Sequence, residues 1–405
     1  MAFAQQNITT GANPGTDPIR VMVVDDAVVI RGLLTRWLDS DPGLSVVGSH
    51  RNGKLAVDDI EKSNPDVVVL DIEMPEMDGM TALPLMLAKK RDLVVIMAST
   101  LTRRNAEISL KALSLGAADY VPKPESTSEV TTSVDFRREL IDKVKALGIR
   151  ARRMRGPGRT MRAATNAGRT VSQAPVGRLA NTREPLRMAQ GGTGAAAAPA
   201  AAFKLRPYAA VKPRILAIGS STGGPQALQQ VMKDIGTAIQ DVPVVITQHM
   251  PPTFTAILAE HVGKAAMRPA KEGAHGDVLQ PGNIYVAPGG KHMILEKEAG
   301  AVKICLTDGE PVNFCKPAVD PLFDSVAKIY GSATLGLILT GMGHDGAAGV
   351  KTIAAGGGSV LTQDEATSVV WGMPGAAANT GMCSDVLPLP EIGPKVARVL
   401  KGNAR

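Results

Sequence analysis

Residues 215–225 read Ile-Leu-Ala-Ile-Gly-Ser-Ser-Thr-Gly-Gly-Pro, a stretch with few ways to fold. An apolar run, Ile215 to Ile218, stops abruptly in small residues, and a helical period follows with Ala227, Leu228, Val231 and Met232 on one face. The pattern is a buried strand, a tight turn and an amphipathic helix. Ser221 stands at the turn, proud of the sheet, and Gly219 and Gly223 permit the bend. Backbone N–H groups of the new helix point at whatever approaches the hydroxyl. Serine alone is a poor nucleophile, so chemistry at this turn needs a base and an orienting acid from elsewhere in the chain.

Two blocks of the chain repeat the alternation of strand and helix. In residues 19–137, strands are predicted at 19–25, 44–48, 67–71, 94–99 and 119–121, with helical periods between them such as 29–38. In residues 213–402, they are predicted at 215–219, 242–248, 282–287, 335–340 and 359–361, with helices after Gly224, Phe254, Val319, Gly346 and Pro374. An inserted β-hairpin is expected at 292–298 and 302–306. Short buried strands separated by helices imply parallel sheets covered on both faces, so the fold class is α/β with two doubly wound parallel-sheet domains. Residues 138–212, rich in Arg, Gly, Ala and Pro, are expected to be a flexible linker, with 136–155 compatible with an extension of the last helix of the first block. Residues 1–18 are expected to be a disordered polar tail without the apolar core of a leader peptide.

Charge is confined in an informative way. The chain carries +7, yet thirteen Lys/Arg stand against the single acid Glu184 between Ile149 and Lys212, so the remainder is net acidic. The basicity belongs to the linker, and no nucleic-acid-binding fold is expected. Three cysteines, Cys305, Cys315 and Cys383, are too few and too irregularly spaced for a disulfide framework or a zinc site, which suits a reducing cytoplasm. No apolar run is long enough to span a bilayer, so the chain is not expected to be an integral membrane protein.

The first block places acids at strand ends. Asp25 and Asp26 close its first strand, Asp71 the third and Ser99 the fourth, and Lys123 follows the fifth. In a parallel sheet these ends lie on one edge, where ligand crevices form. Three carboxylates there repel one another unless a hard cation lies among them, and oxygen ligands of this kind suit Mg²⁺. A phosphoryl group on Asp71 would be met by the Ser99 hydroxyl and the Lys123 ammonium. One such Asp alone would ordinarily be a solvated helix cap; the combination is far more specific.

The second block offers partners for Ser221. His249 ends the strand at 242–248, and Asp345 lies in the turn Gly341-Met-Gly-His-Asp-Gly346 that follows the strand at 335–340. If these strands are neighbours, His249 comes within hydrogen-bond reach of Ser221, and Asp345 can accept its second ring proton. His344 is a second candidate base from the same turn, and Asp345 could instead cap the following helix. The chain order Ser, His, Asp differs from the Ser, Asp, His of α/β-hydrolases, although Gly219-Ser-Ser221-Thr-Gly223 satisfies their G-x-S-x-G pattern.

Taken as motifs, Val-Val-Asp25-Asp26, Val-Leu-Asp71-Ile-Glu-Met-Pro-Glu-Met-Asp-Gly, Ser99 and Lys123-Pro124 resemble the receiver domain of two-component response regulators, a flavodoxin-like fold. That resemblance implies phosphorylation of Asp71 with Mg²⁺, an acid pocket of Asp25 and Asp26, metal ligation by Asp26, Asp71 and the Glu73 backbone carbonyl, and a switch through Ser99 and Tyr120. Gly-Ser-Ser221-Thr-Gly-Gly, Gln248-His249-Met250-Pro251, Pro317-Ala-Val-Asp320, Thr340-Gly-Met-Gly-His-Asp345-Gly and Trp371-Gly-Met-Pro374 resemble the CheB family of chemotaxis methylesterases, whose catalytic domain is Rossmann-like. This second resemblance implies a triad of Ser221, His249 and Asp345 and an oxyanion held by backbone near Thr222 and Met342, with no cofactor for hydrolysis. It further implies demethylation of glutamyl methyl esters and deamidation of glutamines on methyl-accepting chemoreceptors. The histidine kinase CheA would be the phosphodonor, and the enzyme a cytoplasmic monomer at receptor arrays. Trp371, Met373 and Met250 are candidate apolar substrate contacts or core residues.

Three features depart from the family's pattern: Lys316 where Arg commonly precedes Pro, His344 where Asn commonly precedes the catalytic Asp, and a longer, more basic linker. Other output classes fit less well. A transcription factor would need a basic recognition helix in the second block, and a lipase-type esterase would leave the first block without a purpose. A scaffold carrying an inactive hydrolase fold is disfavoured by the complete set of Ser, His and Asp.

Overall fold

The computed structural model describes residues 17–123, 134–155 and 203–403. In its first domain, β1 (Ile19–Val24), β2 (Leu44–His50), β3 (Val67–Asp71), β4 (Val94–Thr100) and β5 (Asp119–Lys123) pair in parallel in the order β2-β1-β3-β4-β5. The central β3 is Val-Val-Val-Leu-Asp and wholly buried, which requires helices on both faces. These are α1 (Val28–Asp39), α2 (Gly53–Ser63), α3 (Gly79–Lys89), α4 (Arg103–Ser114) and α5 (Val134–Arg155). Three of them start on side-chain caps: Asn52 accepts from the Leu55 N–H, Asp78 from Thr81 and Thr102 from Asn105. Each such cap contributes about 1 kcal/mol.

Helix α5 moves a boundary. It buries Phe136, Leu140, Val144, Leu147 and Ala151, an apolar stripe at helical spacing, and continues to Arg155. The linker start expected at 138 therefore falls inside a helix, and the alternative of a helical extension over 136–155 is the one observed: the buried stripe outweighs the Arg-rich composition of its outer face. At the other end, residues 203–212 are already tied to the second domain. Arg206 N–H donates to Cys383 O at 2.9 Å, Ala209 N–H to Ser359 Oγ at 2.9 Å and Tyr208 Oη to Asp385 Oδ2 at 2.7 Å. The rest of the expected linker, and most of the expected tail, lie outside the described residues.

The second domain is built on β6 (Ile215–Ser220), β7 (Val244–Gln248), β8 (Ala270–Glu272), β9 (Ile284–Val286), β12 (Thr334–Ile338), β13 (Ser359–Gln363) and β14 (Asp385–Leu387). They form a parallel sheet in the order β14-β13-β12-β6-β7-β9-β8. The outermost strands, β8 and β14, were not anticipated: three residues each are too few to show a period. An antiparallel hairpin, β10 (His292–Glu298) with β11 (Ala301–Thr307), stands where it was expected. Helices α6 (Gly224–Ile235), α7 (Phe254–Ala266), α8 (Val319–Tyr330), α9 (Ala347–Ala355), α10 (Met373–Asn379) and α11 (Leu389–Leu400) cover the sheet. Because β6 lies between β7 and β12, with Ser220 opposite Gln248 and Gly219 opposite Ile338, three strand ends come level at one edge.

The two domains share an apolar cluster that includes Leu110, Leu113 and Tyr120 from the first and Met232, Phe254 and Ile257 from the second. The Tyr120 and Phe254 rings stack, with centroids 4.6 Å apart and planes 8° from parallel. Gln226 Nε2 donates to the carbonyls of Leu113 (2.6 Å) and Ala117 (3.1 Å), and the exposed pairs Arg103–Glu260 and Arg153–Glu365 lie at 3.3 and 3.2 Å.

Candidate active site and acid pocket

Ser221 follows β6 directly, and its N–H donates to Thr340 O at 3.0 Å, which joins it to the chain leaving β12. Gly223 at the helix N-cap has φ +76°, and a Cβ there would lie 2.4 Å from Val369. The turn is also pinned by Gln248, which the sequence shows only as part of the Gln248-His249-Met250-Pro251 motif, without a role of its own. Its buried amide accepts from Ser220 Oγ at 2.7 Å and donates to Ser221 O at 2.9 Å.

His249 N–H donates to Ser220 O at 3.1 Å, so the ring starts from the strand next to the serine. Its Nε2 lies 2.8 Å from Asp345 Oδ2. The carboxylate of Asp345 is buried at the N-terminus of α8, where Oδ2 accepts from the Val319 N–H (2.5 Å) and Oδ1 from the Asp320 N–H (3.2 Å) and Asn313 Nδ2 (3.0 Å). Burial opposes its ionisation, but the hydrogen bond and charge of His249, the Val319 N–H and Asn313 outweigh it and hold the carboxyl at about 2. Asp345 is thus an anion, and Nε2 of His249 carries the proton between them. Burial likewise opposes charge on His249, and Asp345 and Cys315 overcome it, raising the ring to about 10.

The other ring nitrogen does not meet the serine. Nδ1 of His249 lies 3.3 Å from Cys315 Sγ, and Ser221 Oγ makes no hydrogen bond among the described residues. The direct Ser221–His249 bond expected from neighbouring strands is therefore not formed: the strands are adjacent, but a thiol from the loop before α8 faces the base. Cys315 and Asn313 gave no signal in the sequence, since neither sits at a strand end. His344, the rival base, is exposed and one residue from the buried Asp345.

The N–H groups of Thr222 and Met342 have no acceptor among the described residues, and the buried Thr222 Oγ1 also lacks a partner. Unpaired donors flanking Ser221 suit a developing oxyanion. Of the candidate apolar contacts, Met373 and Met250 are core residues and only Trp371 is partly open. Lys316 is half-buried, and its carbonyl accepts from Gly290 N–H at 3.1 Å.

In the first domain, Lys123 Nζ lies 2.7 Å from Asp71 Oδ1 and 3.2 Å from Asp25 Oδ2, and all three side chains are buried. Carboxylate oxygens of Asp25, Asp26 and Asp71 lie within 4.8 Å of one another. Burial, first, and the neighbouring Asp25 push the Asp71 carboxyl up, Lys123 pulls it down, and it stands raised to about 6. Asp25 is raised for the same first reason. Ser99 is buried on the same edge, but its Oγ bonds Ser109 Oγ at 2.9 Å. Glu73 is exposed, its carboxylate 3.9 Å from Arg104. Tyr120 is turned away from the acids and onto Phe254.

A family model described as CheB methylesterase matches residues 216–396, and one described as response regulator receiver domain matches residues 21–135. The protein-glutamate methylesterase/protein-glutamine glutaminase of Rhodopseudomonas palustris (strain BisB5) is 53% identical over 98% of this chain and 99% of its own. That of the group 2 operon of Rhodopseudomonas palustris (strain ATCC BAA-98 / CGA009) is 56% identical over 96% of this chain and 95% of its own. Among solved structures, the Thermotoga maritima CheB methylesterase catalytic domain is 38% identical, covers 47% of this chain and all of its own, and has a TM-score of 0.45.

Proposed function

Since the chain belongs to the CheB methylesterase family and carries a response-regulator receiver domain, we propose how its own residues divide the work of a receiver-controlled protein-glutamate methylesterase and protein-glutamine glutaminase. The observation that carries this reading is the buried His249 Nε2–Asp345 Oδ2 pair at 2.8 Å, set on the strand beside Ser221. Asp345 fixes the tautomer, so that Nδ1 is the nitrogen able to take the Ser221 proton. Ser221 Oγ attacks the ester carbonyl of a receptor glutamate, and the N–H groups of Thr222 and Met342 hold the oxyanion. His249 returns the proton to the leaving methoxide, methanol departs, and water attacks the acyl-enzyme to leave a carboxylate and free Ser221. From a glutamine side chain the same path releases ammonia. No cofactor enters the hydrolysis.

Asp71 is the proposed phospho-acceptor. Asp25, Asp26 and Asp71 supply hard oxygen donors at a spacing that fits Mg²⁺, with the Glu73 carbonyl as a further ligand. The ion, when bound, neutralises charge on the acids and on the incoming phosphoryl oxygens. Lys123 pairs with the same group. Ser99 leaves Ser109 to meet the phosphoryl oxygens, and Tyr120 follows. Tyr120 is the natural link to the hydrolase, because its ring stacks on Phe254. The substrate is a methyl-accepting chemoreceptor and the phosphodonor a histidine kinase of the CheA type. Action is cytoplasmic, at receptor arrays, by a monomer; no described helix is long and apolar enough to cross a membrane.

The test is methanol release from methylated receptor membranes, with and without acetyl phosphate and Mg²⁺. In Asp71→Ala the basal rate is expected to persist and the acetyl phosphate stimulation to disappear; stimulation that survives would move the phosphorylation site elsewhere. Gln226→Ala removes two hydrogen bonds from the domain contact. It is expected to raise the basal rate about fivefold, near the worth of one to two such bonds, and to shrink the further gain from acetyl phosphate. An unchanged basal rate would count against the receiver as an inhibitor.

A further inference from the structure

The base that hydrolysis needs is already engaged. His249 gives Nε2 to Asp345, and Nδ1 faces Cys315 Sγ at 3.3 Å. With the Nε2 proton directed at Asp345, Nδ1 is the acceptor nitrogen, and the Cys315 thiol is placed to donate to it. The Nδ1 lone pair is then not free for Ser221, whose Oγ has no hydrogen-bond partner among the described residues. Sulfur is a weak hydrogen-bonding atom, so a modest displacement of the loop suffices to exchange Cys315 for Ser221.

That loop is held in an unusual shape. Asn313 and Phe314 have φ of 52° and 62°; asparagine takes such left-handed values comparatively readily, whereas for Phe314 they persist only where the surroundings over-determine them. Asn313 Nδ2 donates to Asp345 Oδ1 (3.0 Å) and Asp320 Oδ2 (3.1 Å). Val312 and Cys315 exchange backbone hydrogen bonds of 3.1 and 2.9 Å. A further contact comes from the receiver: the guanidinium of Arg138, on α5, lies 4.7 Å from the centroid of the Phe314 ring, which is otherwise exposed, a cation–π contact. The receiver therefore touches the residue next to the thiol that occupies the base.

We propose that Cys315 is a positioning residue that competes with Ser221 for Nδ1 of His249, and that the receiver holds it there through Arg138 and Phe314. This goes beyond covering the substrate groove: it makes release of the base a second consequence of moving the receiver. It rests on the reading of Ser221 as nucleophile and His249 as its base.

The experiment uses the full-length protein and a small serine-directed fluorophosphonate. In that reaction Ser221 Oγ bonds to phosphorus, fluoride leaves, and the hydroxyl proton passes to Nδ1. The probe is far smaller than a receptor, so its rate reports the freedom of the base and not access for a receptor helix. Cys315→Ala is expected to label about three- to tenfold faster, the worth of one hydrogen bond. Cys315→Ser, whose hydroxyl again donates to Nδ1, is expected to return the slow rate. Arg138→Ala, remote from the reacting atoms, is expected to speed labelling in the otherwise unaltered chain and to add nothing on top of Cys315→Ala, the signature of two residues acting through one event. A rate that stays level or falls in Cys315→Ala overturns the competition. Equal acceleration by Arg138→Ala with and without Cys315 overturns the link to the receiver. Label that persists in Ser221→Ala instead sinks the assignment of the nucleophile, and so separates failure of that reading from failure of this one.

Discussion

Ser221→Ala is expected to lower methanol release from methylated receptors by about five to six orders of magnitude, while receptor binding and the melting temperature stay nearly unchanged. The size follows from losing the covalent path as a whole. Without Oγ, His249 and the Thr222 and Met342 N–H groups retain only what they do for a water molecule. That residue of catalysis is typically about 10³–10⁴ over the uncatalysed rate. The fold should not notice. Ser221 Oγ makes no hydrogen bond among the described residues, so its removal orphans no partner, and the turn is held instead by the Ser221 N–H, the Ser221 carbonyl and Gln248. Single-turnover methanol release with a parallel melting curve checks both halves. Activity within tenfold of the unaltered chain would mean another nucleophile, and Cys315, facing Nδ1 at 3.3 Å, would be the first to examine.

Strand ends are the part of such a site that sequence exposes. Asp25, Asp71, Ser99, Ser221 and His249 all stand where a run of β-branched and aliphatic residues stops, and in a parallel sheet that position alone assigns them to one edge. The order β7-β6-β12 then explains why Ser221, His249 and the turn carrying Asp345 converge. Loops are not legible in the same way. Asn313 and Cys315 reach the site through left-handed backbone at 313 and 314; Asn tolerates that conformation, but nothing at Phe314 announces it. The extent of α5 is legible only as an alternative to the linker: its apolar stripe, Phe136 to Ala151, gives the helical extension over 136–155, while the arginines interleaved with it give the segment the composition of a linker. The domain contact is hardest of all. Phe254 looks like a core residue of its own domain and Tyr120 like the receiver's switch aromatic, and only the assembled chain puts one ring on the other.

Asp345→Asn is expected to cost about four orders of magnitude in turnover and, at the same time, to move the acid limb of the pH profile to lower pH. The substitution is nearly isosteric. Its amide oxygen, in the place of Oδ1, still accepts from the Asp320 N–H at the start of α8, while the Val319 N–H, which bonds Oδ2, loses its acceptor when the amide nitrogen faces His249. What changes is the face towards His249. If the amide nitrogen takes the place of Oδ2, it donates to Nε2 and forces the proton to Nδ1, which can then no longer receive one from Ser221. The pH effect has the opposite sign. His249 must be neutral to act as base. Burial disfavours its charge, but Asp345 and Cys315 raise it to about 10, so kcat/KM of the unaltered enzyme should climb as pH rises through the alkaline range. Removing the negative charge of Asp345 withdraws the leading favourable interaction of the imidazolium, so the ring deprotonates earlier and the limb shifts down even as the plateau falls. A merely structural lesion would lower the plateau and leave the limb in place. A limb that does not move would mean that the group titrating in the profile is not the histidine held by Asp345.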